Sequence, residues 1–291
     1  MIAQAFVSEG KLRPLWRAVI YFVLGTYVLY PLLGIVVPSI ANALHIPNNL
    51  SSASIAFSET IGFIVALICT AVLATYEGRR IDSYGLSLGR AFGRNTWEGM
   101  AVGVIMAGAV ALGMFAFGGM KVHGLATTGF PLLAAAVGWL LANICIGIAE
   151  EFWYRSYFLQ TLWKALGFWP GATVVALIFT ADHYFFKTGE NIWDVITLVS
   201  LSLLMSYSVL RSGTLWFAVG FHIAFDYMQL FIIGTPNGAQ IPVGRLLDVT
   251  FQGPAWLTGG VLGTEASFLM YPAIVLLWIY LHRRYRGNLR P

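Results

Sequence analysis

Residues 141–160 read LANICIGIAEEFWYRSYFLQ, a stretch apolar enough for a lipid bilayer except for three ionisable side chains. Glu150, Glu151 and Arg155 fall within six consecutive residues. Burying a charged group in a bilayer costs free energy, so such residues usually face a partner or a water-filled cavity. The stretch therefore predicts a membrane helix with a polar face turned towards the protein interior.

The composition of the whole chain also indicates a membrane protein. Of its 291 residues 58% are hydrophobic and only 10% are charged, whereas a soluble domain carries about 25% charged residues. Because about 20 apolar residues form a helix that crosses a bilayer, the long charge-free windows predict an all-α, polytopic fold with about eight membrane spans. These predicted spans lie near 18–40, 55–76, 99–118, 132–160, 168–186, 193–210, 214–234 and 264–282.

Basic residues predict the orientation of these spans. Of the 17 Lys and Arg residues, 13 lie before the first span, after the last span or in the even-numbered connections, the last of them being Arg290. Lys121, Lys187 and Arg245 lie on the other side. The positive-inside rule then places both termini in the cytoplasm and the chain in the plasma or inner membrane. Since topology accounts for the net charge of +4, no nucleic-acid partner is expected.

The chain is predicted to form one domain over residues 1–291. It shows no internal repeat, and its longest soluble-looking pieces, 77–98 and 235–263, are too short for an appended catalytic module. Gly99 and Gly103 form a small-xxx-small pattern, which allows two membrane helices to approach closely.

The motif EEFWYR suggests a division of roles between its two carboxylates. On a helix Glu151 and Arg155 are four residues apart and can form an ion pair. Glu150 points about 100° away from that pair. An unpaired carboxylate in a partly dry site suits a general base. The alternative is that an arginine-clamped carboxylate pair simply bridges two helices.

Two further polar motifs follow in later predicted spans. In FTADH, Phe179 and His183 lie one turn apart, with Asp182 beside the histidine. In HIAFD, His222 and Asp226 are four residues apart and could ligate a metal or donate hydrogen bonds to one oxygen atom. Either motif alone could be a polar contact between helices. Together with EEFWYR they supply a carboxylate base and two imidazoles, which suffice for hydrolysis of an amide by water.

The order EExxxR, FxxxH and HxxxD on successive membrane helices resembles the CPBP intramembrane proteases. This family includes the Ras-converting type II CAAX prenyl endopeptidases. The glycine-rich segment LTGGVLGTEAS, residues 257–267, is also similar to a stretch before the last helix of bacterial members. The resemblance covers residues from about 130 to 270 and implies an endopeptidase in contact with membrane lipid. It would cleave near the C-terminus of a protein or peptide, which in the CAAX class is isoprenylated.

The resemblance also implies roles for individual residues. Glu150 would be the base that activates water, and His183 would bind or orient that water. His222 with Asp226 would supply the oxyanion hole. The other motif residues would hold the site together: Glu151, Arg155 and Phe179.

Two features of the site remain open at this point. The Ras-converting enzymes carry Asn where this chain has Asp226, and an ionised carboxylate cannot donate a hydrogen bond. Asp226 would then be protonated, orient His222 or help to ligate a metal. A divalent metal such as zinc could be held by His183, His222 and a carboxylate, while a metal-free, glutamate-dependent mechanism also fits these residues.

Functions without proteolysis also fit buried polar residues. A transporter could use them to relay protons or bind a solute, although transporters often show paired halves and this chain has no internal repeat. A catalytically inactive scaffold or immunity protein could retain the motifs for structure alone. The presence of Glu150, His183 and His222 together favours the protease.

Overall fold

Eight long helices make up most of the protein. The computed structural model describes residues 6–8 and 10–286, so Arg290, which entered the orientation argument, lies outside the described residues. In chain order the helices are α1 Pro14–Ala43, α2 Ser52–Glu77, α3 Arg94–Ala116, α4 Gly129–Leu166, α5 Phe168–Phe186, α6 Ile192–Ser212, α7 Trp216–Ile233 and α8 Met270–Arg284.

Seven helical spans in the described part of the chain are long and apolar enough to cross a membrane, the last of them, Gly260–Arg284, comprising α8 and the helical segment before it. This confirms an all-α, polytopic membrane protein, although the sequence predicted eight such spans. The span predicted at 168–186 does form a helix, α5, but α5 is not among the seven. Its last turns carry Asp182 and His183, and these polar residues lower the mean hydropathy of a helix of only 19 residues.

Short elements connect the long helices. Strand β1, Val7–Ser8, pairs with β2, Lys11–Leu12, near the start of the chain. Strand β3, Met120–Leu125, follows α3 and pairs antiparallel with β4, Leu247–Phe251. The 3-10 helix Gly260–Ala266 leads towards α8. The remaining short turns are Ile81–Tyr84, Leu88–Arg90 and Ala255–Thr258.

Helix α7 lies in the centre of the protein. In its first part, Trp216–Asp226, nine of the 11 residues are buried. A helix that is apolar on all sides is typical of such a central position. His222 and Asp226, the two polar motif residues of α7, are therefore placed in the interior rather than towards lipid.

Glycines let α3 approach α7 closely, as the small-xxx-small pattern predicted. A Cβ atom added to Gly99 would lie 2.1 Å from the backbone oxygen of Phe217, and one added to Gly103 would lie 2.5 Å from that of Phe221. On the facing helix, a Cβ atom on Gly220 would lie 2.1 Å from the oxygen of Thr96. Because backbone atoms cannot rotate away as side chains do, these contacts require glycine.

We expect the substitution Gly99→Ala to destabilise the protein. The added methyl group would overlap the backbone of α7, and overpacking of this kind costs about 1–3 kcal/mol or more. Thermal unfolding in detergent would measure the loss. The matched control is Gly34→Ala in α1, where nothing lies within 4 Å of the added atom. Equal unfolding temperatures for the two variants would show that the helices do not depend on this close contact.

Candidate active site

The three polar motifs meet in one cavity of about 700 Å³. Helix α4 contributes EEFWYR, α5 contributes FTADH and α7 contributes HIAFD. All seven residues singled out from the sequence line this cavity: Glu150, Glu151, Arg155, Phe179, His183, His222 and Asp226. The packing of α4, α5 and α7 thus brings these side chains to one place.

Gly147 allows the EEFWYR motif of α4 to lie beside the HIAFD motif of α7. A Cβ atom on Gly147 would lie 3.0 Å from the backbone oxygen of Val219 and 2.8 Å from a side-chain carbon of Ile223, so α4 and α7 are in close contact here. Glu151 lies one turn after Gly147, and His222 precedes Ile223. The close approach thus brings the carboxylates of α4 within reach of the imidazole of α7.

Glu151 and Arg155 form the ion pair that their spacing predicted. Nη1 of Arg155 donates to Oε1 of Glu151 at 3.1 Å, and the two side chains are only 1% and 0% exposed. Nη2 of Arg155 donates to Ser202 of α6 at 2.8 Å. The guanidinium also lies 5.0 Å from the centre of the Phe179 ring of α5, within the range of a cation–π interaction. This pair therefore ties α4 to α5 and α6.

His222 is surrounded by carboxylates. Its Nδ1 donates to Oε1 of Glu151 at 3.1 Å. Its Nε2 lies 3.6 Å from Oε2 of Glu150 and 3.4 Å from Oδ2 of Asp226. With three acidic side chains this close, a positively charged imidazole is favoured electrostatically. The Nδ1 contact leaves Nε2 directed towards Glu150 and Asp226.

Glu150 differs from Glu151 in the way the sequence suggested. Its Oε2 atom is buried and has no hydrogen-bond donor among the described residues. Its nearest positively charged neighbour is the imidazole of His222. The side chain of Glu150 is 20% exposed, while that of Glu151 is fully buried. A carboxylate that is partly accessible and not hydrogen-bonded can accept a proton from a water molecule.

His183 is held by the backbone and by Phe179. Its Nδ1 lies 2.9 Å from the carbonyl oxygen of Phe179 and donates to it, because a carbonyl can only accept. This hydrogen bond favours the tautomer that has its lone pair on Nε2. The two rings are 4.4 Å apart, so Phe179 lies between His183 and Arg155.

Irregular helix turns coincide with two of the motifs. Arg155 lies in the π-helical segment Tyr154–Phe158, and Asp226 precedes the π-helical segment Tyr227–Ile233. Segments of this kind occur frequently at functional sites. The Tyr154 hydroxyl donates to Asp182, which links the first turn of one irregular segment to α5.

Several cavity residues could not be assigned from the sequence. Glu59 of α2 and Glu265 before α8 belong to none of the three motifs, and both line the cavity. Lys187 donates to Glu265 at 2.9 Å, and Gln229 donates to the other oxygen of Glu265 at 3.2 Å. Desolvation alone would lower the pKa of Lys187, but nearby carboxylates, Glu265 foremost, outweigh it and the pKa is raised. Lys187 therefore stays charged and paired.

A divalent metal ion in the cavity is one of the alternatives that the sequence leaves open. Among residues 6–8 and 10–286 no group of three or more His, Cys, Asp or Glu side chains is arranged to hold a metal ion. The alternative in which His183 and His222 ligate a divalent ion such as zinc is therefore not supported.

Comparison with known proteins agrees with the motifs. Residues 131–228 match the family model described as type II CAAX prenyl endopeptidase Rce1-like, and this segment contains all three motifs. No curated protein and no solved structure shows significant similarity to the chain. The chain is therefore an integral membrane protein with an Rce1-like domain over residues 131–228.

Proposed function

We propose that the protein is an intramembrane endopeptidase that hydrolyses a peptide bond near the C-terminus of a protein or peptide, using water activated by Glu150. The observation that carries this proposal is that Glu150, His183 and His222, from three different helices, line one cavity. The Rce1-like match over residues 131–228 supports the reaction class.

Glu150 acts as the general base. Its Oε2 atom lies 3.6 Å from the imidazole of His222. It takes a proton from a water molecule in the cavity, and the resulting hydroxide adds to the carbonyl carbon of the scissile peptide bond. General-base catalysis of this kind contributes about 10²–10⁴-fold to a rate.

His183 binds the attacking water. Its Nδ1–H donates to the carbonyl oxygen of Phe179. The lone pair on Nε2 therefore accepts a hydrogen bond from the water. This leaves an oxygen lone pair of the water free to attack. Because Phe179 packs on both His183 and Arg155, the ring holds the imidazole in place.

His222 stabilises the oxyanion of the tetrahedral intermediate. Its Nε2–H is directed towards Glu150 and Asp226 and donates to the substrate oxygen as negative charge develops there. Asp226 replaces the asparagine of the Ras-converting enzymes without donating itself. Its carboxylate, 3.4 Å from Nε2, keeps the imidazole charged and directed into the cavity.

The substrate reaches the site from the lipid. We assign it to isoprenylated C-terminal peptides, because the matched family cleaves these and an isoprenoid chain partitions into the bilayer that surrounds α4, α5 and α7. The positive-inside distribution of Lys and Arg supports a plasma or inner membrane location with both termini in the cytoplasm.

A pair of matched peptides tests this function. We expect the purified protein to cleave a quenched peptide with a farnesylated C-a-a-X terminus, and to cleave the same peptide with S-methylcysteine at least about tenfold more slowly. Mass spectrometry would locate the cut, and Glu150→Gln protein prepared in parallel would exclude a contaminating protease. Cleavage of neither peptide would contradict the proposal and favour a transporter or an inactive scaffold. Equal cleavage of both would overturn the isoprenoid assignment alone.

A further inference from the structure

A further carboxylate, that of Glu59, enters the cavity from a helix outside the Rce1-like segment. Ile55, Ser58 and Glu59 line the cavity from α2. Their spacing of three and four residues places them on one face of the helix. Nothing in the proposed mechanism uses Glu59, although a carboxylate in an apolar span costs free energy and calls for an explanation.

Packing fixes the rotation of α2 so that Glu59 faces the same space as Glu150. Oγ1 of Thr60 lies 3.9 Å from the sulfur atom of Cys145 on α4. One turn further along, the ring of Phe63 meets that of Phe152 edge-on at 5.5 Å. These two contacts bracket Glu150 along α4. Glu59 is therefore a neighbour of Glu150 across the cavity.

Glu59, unlike Glu150 and Glu151, is in direct contact with no cation among the described residues. The described residues provide it with neither a hydrogen bond nor an ion pair. The groups that act on it electrostatically are Glu150 of α4, His222 and Asp226 of α7, and the Tyr30 hydroxyl of α1.

The two basic side chains of the cavity are already paired. Arg155 binds Glu151, and Lys187 binds Glu265. His222 contacts Glu150, Glu151 and Asp226. Neighbouring carboxylates cannot both be ionised at low cost, so the proton resides on the one without a cation. That residue is Glu59, because Glu150 has the imidazole of His222 3.6 Å from its Oε2 atom.

We propose that protonated Glu59 is the general acid that gives a proton to the leaving amine, an inference that rests on the proposed function. Hydrolysis of an amide needs this step because an amide anion is a very poor leaving group. As the tetrahedral intermediate collapses, the oxyanion electrons re-form the carbonyl and the carbon–nitrogen bond breaks. The nitrogen takes the proton of Glu59.

The protons balance over one turnover. Glu150 has accepted one proton from water, and the remaining hydroxide has become part of the new carboxylic acid. Glu59 has given its proton to the new amine and is left ionised. Transfer of the proton from Glu150 to Glu59 across the cavity restores both groups. One water molecule is consumed and neither glutamate is changed.

Two substrates with the same acyl part distinguish this role from a structural one. One is the farnesylated C-a-a-X peptide; the other is the p-nitrophenyl ester of the same farnesylcysteine peptide, whose leaving group needs no proton. We expect Glu59→Gln to lower kcat/KM for the peptide relative to the ester by about 10²–10⁴-fold. Glu150→Gln should impair both substrates, because both need activated water.

Wild-type protein provides a second measurement that does not depend on folding of a variant. The rate on the peptide should fall at high pH, where Glu59 loses its proton, while the rate on the ester should not. Loss of both activities in Glu59→Gln, or parallel pH profiles for the two wild-type reactions, would overturn the role of Glu59. Wild-type protein that cleaves neither substrate would instead overturn the proposed function, and this inference with it.

Discussion

Glu150→Gln protein is expected to lose about 10²–10⁴-fold in kcat/KM on the farnesylated peptide while its unfolding temperature stays close to that of the wild type. Glutamine has nearly the shape of glutamate but cannot accept a proton from water. Since Oε2 of Glu150 has no hydrogen-bond donor among the described residues, the substitution breaks no hydrogen bond at that atom. Catalysis should therefore be lost without loss of structure.

The neighbouring residue supplies the matched control. Glu151→Gln makes the same chemical change one position further on, but removes a charge that Arg155 and His222 both contact at 3.1 Å. This variant should unfold at a lower temperature than Glu150→Gln. Glu150 would not be the general base if Glu150→Gln kept activity within tenfold of the wild type. The roles of Glu150 and Glu151 would also be wrong if Glu150→Gln unfolded at a lower temperature than Glu151→Gln.

A double variant tests whether Glu150 and His222 act in one step. If Glu150 provides the hydroxide and His222 stabilises the resulting oxyanion, then Glu150→Gln with His222→Ala should be little worse than the more severe single variant. Residues that act as a unit show such non-additive effects on kcat. Fully additive losses would indicate that the two side chains serve independent steps.

Local spacing explains what could be predicted from the sequence. The pair Glu151–Arg155 followed from the separation of four residues on a helix, and it is present at 3.1 Å. The polar face predicted for residues 141–160 is also present, since Glu150, Glu151 and Arg155 line the cavity. Each of these predictions depends on helical periodicity and on the cost of charge in a bilayer, which a sequence displays directly.

Long-range packing explains what could not be predicted. The pairing of β3 with β4 joins segments more than 100 residues apart, and no local pattern specifies it. The direction of Glu59 depends on how Thr60 and Phe63 meet α4. A charged residue in an apolar span indicates that its side chain faces a partner or a cavity. The rotation of the helix determines which partner or cavity that is.

Arg155→Met is expected to destabilise the protein by about 3–5 kcal/mol. The guanidinium is 1% exposed, and its removal leaves the fully buried carboxylate of Glu151 without its cation. Breaking one half of a buried ion pair costs more than the pair contributes, because the remaining charge is desolvated and uncompensated. Denaturant or thermal unfolding in a single detergent would measure the change.

Adding Glu151→Gln to Arg155→Met should recover much of this stability. The second change removes the uncompensated charge, while the amide oxygen can still accept the hydrogen bond from Nδ1 of His222. Arg80→Met, in an exposed pair 3.0 Å from Asp82, is the control and should leave stability unchanged. A double variant no more stable than Arg155→Met would show that the loss comes from the missing contacts to Ser202 and Phe179. A loss no larger than that of Arg80→Met would show that the pair does not hold the site together.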